Sequence, residues 1–274
     1  VILPDHTLKN NAPGLRNSGG TGHRWETDFD RDKGPCLIAH QQMRLPATMS
    51  KFVVEFGTAG LPPPAPDGRL DAPAFHRNHD AIWSAIAGFL DGKTGSVLEI
   101  GSGTGQHAVT FARRSPQLTW WPSDIYPSHL ASIAAWRHEA GLANLRTPQR
   151  IDLTDPVWTW AAEGSDELTA MICINVLHIS PWYVAQHLFS GAGRYLREGG
   201  RLLLYGPFMR DGAHTAPSNA AFDASLRAQN PDWGVRDVRE LNSLADSAGL
   251  RLVAVEPMPA NNMVLAFERL APQN

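Results

Sequence analysis

An apolar run closed by three alternating glycines, Val97-Leu98-Glu99-Ile100-Gly101-Ser102-Gly103-Thr104-Gly105, constrains the fold of this chain more than any other stretch. Residues 96–100 read as a buried strand, 101–105 as a tight turn and 107–114 as the following helix. Glycines in such a turn let the backbone bend sharply and approach a ligand without a Cβ in the way. In a dinucleotide-binding loop the third glycine falls three residues after the second. Here it falls two after, and Gln106 takes the place of the dinucleotide glycine. The shorter spacing suits S-adenosylmethionine (SAM), which has no phosphate. Gly101, Ser102, Gly103 and Gly105 are the candidate loop contacts, and Glu99 is a carboxylate that orders the loop or meets the ligand's amino group, through water.

The pattern around that unit predicts an α/β fold. Ile82, Ile86, Phe89 and Leu90 recur at helical spacing before it. After it, strands are expected over 118–121, 145–151, 168–175 and 201–205, alternating with helices over 128–140, 182–197, 219–228 and 238–248. Such alternation implies a parallel sheet with helices on both faces. The closing runs 250–256 and 263–269 are joined by a link too short for a parallel crossover, so the last strand is expected to be antiparallel. A Rossmann-like, seven-stranded, mostly parallel sheet with its last strand reversed is the class I methyltransferase plan.

Further candidate residues sit at expected strand ends, where open parallel sheets bind ligands. Asp124, about twenty residues past the glycine turn, is placed to accept from ribose hydroxyls, with Ile125 beside it. Asp152 is placed to accept from an adenine amino group, with Leu153 packing on the ring. Taken alone, each acid is also a helix-cap or turn residue. Asn175 and His178 follow the next strand, in Asn175-Val176-Leu177-His178-Ile179-Ser180-Pro181-Trp182. Methyl transfer needs an aligned, desolvated nucleophile and, where required, a base. His178 is the best candidate base, although a lone His after an apolar strand is more often structural. Asn175 and Tyr205 join it as catalytic candidates, and Ser218-Asn219 and Asn261-Asn262 as parts of an acceptor pocket.

Residues 1–70 carry many Pro, Gly, Asn and Asp without period and read as a mostly disordered extension, with the domain over 71–270. Met49 opens the stretch leading into the domain, so residues 1–48 are a candidate over-long reading frame. A formal net charge of -3 gives no bias toward nucleic acid or anionic membranes. Cys36 and Cys173 lie far apart and predict no disulfide framework, and no apolar stretch reaches membrane-spanning length, so a reducing cytoplasm is expected. The eleven histidines are scattered without a His-x-x-x-His pattern and no Cys-x-x-Cys occurs, so no metal is expected.

These residues resemble the small methyltransferase-like proteins catalogued as domain of unknown function 938, the group that includes methyltransferase-like protein 26. The resemblance covers nearly all of 74–269. It rests on Arg77-Asn78, Leu98 to His107, Trp121-Pro122-Ser123-Asp124, His178-Ile179-Ser180-Pro181-Trp182, Leu204-Tyr205-Gly206-Pro207-Phe208, Trp233-Gly234-Val235-Arg236-Asp237 and Pro259-Ala260-Asn261-Asn262. It implies a class I fold, SAM as cofactor, and Arg77 and Asn78 folded over the cofactor cleft. His76 departs from the acidic residue expected there. The implied activity is methyl transfer to a small-molecule acceptor that the resemblance does not identify. A non-catalytic SAM-binding protein is the alternative; an NAD-linked oxidoreductase fits the glycine spacing less well and lacks a Tyr-x-x-x-Lys pair.

Overall fold

Proline at the first turn opens three helices of the computed structural model, where a missing N–H costs nothing and φ is already helical. The structure describes residues 64–160 and 167–271. Most of the expected extension, Cys36 and the boundary at 48 lie outside the described residues. The first half runs α1 (Pro73–Leu90), β1 (Gly95–Ile100), α2 (Gln106–Arg114), β2 (Leu118–Asp124), α3 (Pro127–Ala140), β3 (Gln149–Arg150) and β4 (Leu168–Ile174). Then come α4 (Trp182–Tyr195), β5 (Leu196–Gly206), β6 (Phe208–Arg210), β7 (Ala213–His214) and α5 (Pro217–Gln229). The chain continues through β8 (Arg236–Asp237), α6 (Val238–Ser247), β9 (Leu250–Met258) and β10 (Asn262–Arg269).

Seven strands form one sheet in the order β3-β2-β1-β4-β5-β10-β9. The pairs from β3 to β5 are parallel, and β10 runs antiparallel to both neighbours. This is the arrangement expected from the alternation and the short final link. Alternate side chains of each strand enter opposite cores. Leu98, Met171, Leu202 and Leu265 pack with Leu188 and Phe189 of α4 and Leu241 of α6. Val97, Ala170, Leu203 and Val264 pack on the other face with Ile82 and Ile86 of α1 and Phe111 of α2. Burial on both faces is why these strands read as continuous apolar runs.

Three local features depart from the sequence pattern. The strand expected over 145–151 is reduced to β3 and one bridge between Leu145 and Trp120, because Pro148 has no N–H to give the ladder. Residues Phe208–Arg210, Ala213–His214 and Arg236–Asp237 form a small second sheet that no periodicity announces, since each strand is only two or three residues long. Leu70, assigned by composition to the extension, is buried, its N–H donating to Ser132 Oγ and its carbonyl accepting from Trp136 Nε1, both at 2.9 Å. Among the described residues no helix is long and apolar enough to cross a membrane.

Candidate active site

The carboxyl ends of β1, β2, β4 and β5 open into a cleft of about 810 Å³, the place where open parallel sheets take ligands. Its floor is the turn between β1 and α2. Gly101, Gly103 and Gly105 all hold positive φ there, at 66°, 57° and 94°. A Cβ on Gly105 would stand 2.9 Å from Ile133 Cα, so this glycine serves the packing of α2 against α3. A Cβ on Gly103 would meet nothing within 4 Å, so the backbone at Gly103 faces open space on the cleft side.

Asp124, at the end of β2, holds that turn in place. Its carboxylate accepts the Gly103 N–H at 2.9 Å and the Tyr126 N–H at 3.0 Å, with His129 Nδ1 3.2 Å away. The group is buried yet lines the cleft. Gln106 closes the turn from the other side. Its Oε1 accepts from Ala72 N–H and Thr104 Oγ1, and its Nε2 donates to Asp71 Oδ1. The segment before α1 is thereby tied over the glycine turn, and Ala72, Pro73, Ala74 and Arg77 line the cleft.

Of the expected cofactor contacts, Gly101, Gly103, Asp124, Ile125, Asp152, Leu153 and Asn175 line one cleft. Glu99, Ser102, Gly105 and Asn78 do not; they support it from behind. Glu99 is buried beneath the turn with Oε2 unpartnered among the described residues. Burial pushes its carboxyl up to about 8, a rise that a Ser102 hydrogen bond opposes and the Asp124 charge adds to. Asn78 Oδ1 meets His107 Nε2 at 2.9 Å, and so links α1 to α2 rather than facing the cleft. Asp152 lines the cleft while its Oδ1 accepts from Thr154 N–H and Oγ1, a local turn that fixes the carboxylate. His76 pairs with Asp71 at the surface.

Residues 69–269 match the model of the family described as Protein of unknown function (DUF938). The chain belongs to this family. A tRNA (guanine-N(7)-)-methyltransferase of Shewanella halifaxensis is 30% identical to it over 92 residues, 34% of this chain and 36% of that protein. The chain thus matches about a third of the length of such curated relatives. An O-methyltransferase family protein from Burkholderia thailandensis superposes with a TM-score of 0.60 at 20% identity, over 73% of this chain and 57% of that one. Human N-acetylserotonin methyltransferase, solved with SAM, gives 0.59 at 17% identity over 72% and 53%. The DUF938 chain therefore has the Rossmann-like fold of class I methyltransferases.

The far half of the DUF938 cleft is built from the turn after β4, α5 and the β9–β10 hairpin. Asn175 follows β4 at φ 59°, a left-handed conformation that Asn tolerates better than most residues. His178 sits in the following 3-10 turn, buried, its ring edge-on to Phe222 at 5.4 Å. Burial and then the Arg236 charge push its imidazole down to about 4. Ala260 and Asn261 both take positive φ in the hairpin turn, which presents the Asn261 carbonyl to Asn219 Nδ2 at 2.9 Å. Tyr205 does not line the cleft; its hydroxyl accepts from Asn262 Nδ2 at 3.0 Å, and Asn262 is the lining residue. Burial raises the Tyr205 phenol against hydrogen bonds from Asn262 and Asn78.

Sequence patterns missed the roles of Asp71, Gln106, Phe222 and Arg236. Gln106 carried a signal, since it occupies the place of a dinucleotide glycine, and Arg236 lies in one of the strings that carry the family resemblance. The others act through contacts between distant segments.

Proposed function

We propose that this DUF938 chain is a SAM-dependent methyltransferase acting on a small-molecule acceptor. The observation that carries the reading is the open face of Gly103, held by Asp124 at the carboxyl edge of the sheet. A backbone approachable at Gly103, with carboxylates at 124 and 152 on the same cleft, fits a nucleoside bearing a methionine chain. Gln106 argues against a dinucleotide. Its buried side chain fills the turn where the pyrophosphate fingerprint keeps a glycine, and it pins the preceding segment across it.

In this reading Gly101 and Gly103 receive the methionine part, Asp124 the ribose hydroxyls, and Asp152 with Leu153 the adenine. SAM supplies a methyl group activated on a sulfonium. The protein aligns the acceptor against it and excludes water, the main requirement of an in-line displacement. Asn175 and His178 stand at the acceptor half and hydrogen-bond the incoming group. Tyr205 acts through Asn262, as a positioning residue.

The test is calorimetric titration with SAM, S-adenosylhomocysteine and NAD in separate runs. Micromolar binding of the first two and none of the third is expected; binding of NAD alone overturns the reading. A non-catalytic SAM-binding role is the second reading, favoured by the low basicity of His178. It predicts the same titration and no methylated product from any acceptor.

A further inference from the structure

The two halves of the cleft differ in charge. Both lining carboxylates, Asp124 and Asp152, lie in the half nearest the glycine turn. From the turn after β4, from α5 and from the β9–β10 hairpin the lining includes His178, Ser218, Asn219, Phe222, Asn261 and Asn262, and no carboxylate among the described residues. Arg77 lines the cleft from α1.

Behind the His178 turn lies a buried cation. Arg236 is 9% exposed, and its guanidinium donates to backbone carbonyls: Nε to Leu177 at 3.1 Å, and a terminal nitrogen to Ser180 and to Asp232. No carboxylate oxygen makes an ion pair with it among the described residues. The charged groups around it are Arg227 and Asp223 of α5, Asp232 before β8, and Glu240 of α6. Asp223 is already committed to Arg227 at 2.9 Å, to the Val235 N–H, and to His214. The guanidinium also lies 5.7 Å from the centre of the Trp182 ring, and in this weakly screening interior its charge is felt at His178, whose imidazole it helps push down. Two of those carbonyls flank His178, whose own carbonyl accepts the Gly234 N–H at 3.0 Å.

We propose that the acceptor half of the cleft takes a nucleophile that is already deprotonated, such as a thiolate or an acidic phenolate, and that Arg236 is the positioning residue responsible. Arg236 clamps the turn that carries His178 and sets a positive potential behind it. An amine would gain positive charge as it attacked, facing Arg236 in the half of the cleft that no carboxylate lines among the described residues. An anion loses its charge in the same step. Its lone pair forms the bond to the methyl carbon, the carbon–sulfur bond breaks, and that bond's electron pair stays on sulfur. No proton is released, so no strong base is needed. The neutral imidazole of His178 is then suited to donate a hydrogen bond to the anion, a role its weak basicity permits.

This inference rests on the methyltransferase reading. The probe is 4-nitrophenol, whose anion is coloured, titrated against pH with the protein saturated in S-adenosylhomocysteine. Bound probe is expected to ionise about one pH unit below free probe in the wild type and in Arg236→Lys, and near the free value in Arg236→Gln. With SAM in place of the product, the colour should fade as the methyl ether forms, at a rate following the anion fraction. A probe that binds only as neutral phenol, that fails to bind while S-adenosylhomocysteine binds, or that keeps its shift in folded Arg236→Gln overturns the inference. Should Arg236→Gln not fold, the wild-type titration decides. Failure of S-adenosylhomocysteine itself to bind overturns the methyltransferase reading instead.

Discussion

Gln106 donates from Nε2 to Asp71 Oδ1 at 2.7 Å while its Oε1 accepts the Ala72 N–H at 2.8 Å, so one side chain straps the segment before α1 to the glycine turn. Truncation to Ala would leave the Ala72 N–H and the Thr104 hydroxyl without this acceptor. Losing a buried acceptor costs about 1–3 kcal/mol. Gln106→Ala is therefore expected to lower the melting temperature and to weaken SAM binding about ten-fold, which corresponds to about 1.4 kcal/mol. Calorimetry at a temperature where the variant is folded checks it. Unchanged affinity would mean that the strap does not shape the cofactor site. Gln106→Gly, which restores the dinucleotide glycine, is expected to gain no NAD binding, because the turn spacing remains that of this chain.

Asp124 serves two ends at once. It organises the glycine turn through the Gly103 N–H and faces the cleft. Asp124→Ala is expected to weaken SAM binding more than ten-fold, and also to cost about 1–2 kcal/mol of stability through the two backbone donors it abandons. Asp124→Asn retains an acceptor for one of them and should melt closer to the wild type while still binding SAM poorly. Wild-type affinity in the folded Asn variant would remove the ribose assignment.

The strands that place these groups were legible because each is a short, largely apolar run followed by a turn signal or a polar residue, as in Val97 to Ile100 before Gly101 and Ala170 to Ile174 before Asn175. Much of the cofactor half follows from that, since the glycine turn, Asp124 and Asp152 are fixed by their place after a strand. The other half is not local in this way. Arg236 lies 59 residues from Leu177, whose carbonyl it holds, and Asn219 lies 42 from the Asn261 carbonyl. No periodicity carries such contacts. Tyr205, a catalytic candidate from its place at a strand end, reaches the cleft only through Asn262, because strand position fixes which residues alternate and not which face borders the cleft.

Glu99 makes stability depend on pH in a definite direction. Its carboxyl has an ordinary value of 4.5 and is pushed up to about 8 by burial in the native chain. Between those values the unfolded chain has released a proton that the native chain retains, so stability falls as pH rises, by about 1.4 kcal/mol per unit at most. Below the lower value both states are protonated, and above the upper one both are ionised, so the loss stops. Glu99→Gln is neutral throughout. Its melting temperature relative to the wild type is expected to climb between pH 5 and 8 by roughly ten degrees and then level off. A constant difference across that range would show that Glu99 is ionised in the native chain.

Gly103 and Gly105 share a positive φ and differ in what surrounds them, which separates a binding role from a packing one. A methyl group on Gly105 would press on Ile133 Cα at 2.9 Å and Cγ1 at 3.0 Å, and backbone cannot yield as a side-chain tip can. Gly105→Ala should therefore cost the left-handed penalty of about 1–2 kcal/mol and an overpacking term of about 1–3 kcal/mol, forcing α2 and α3 apart. Gly103→Ala bears only the first, because no atom lies within 4 Å of the added carbon. That carbon would project into the space assigned to the methionine moiety. The expected outcome is a large fall in melting temperature with Gly105→Ala, and a small fall with at least ten-fold weaker SAM binding for Gly103→Ala. Full affinity in Gly103→Ala would place the ligand away from the glycine turn, and equal melting temperatures would mean that α3 gives way where its backbone contact with α2 predicts resistance.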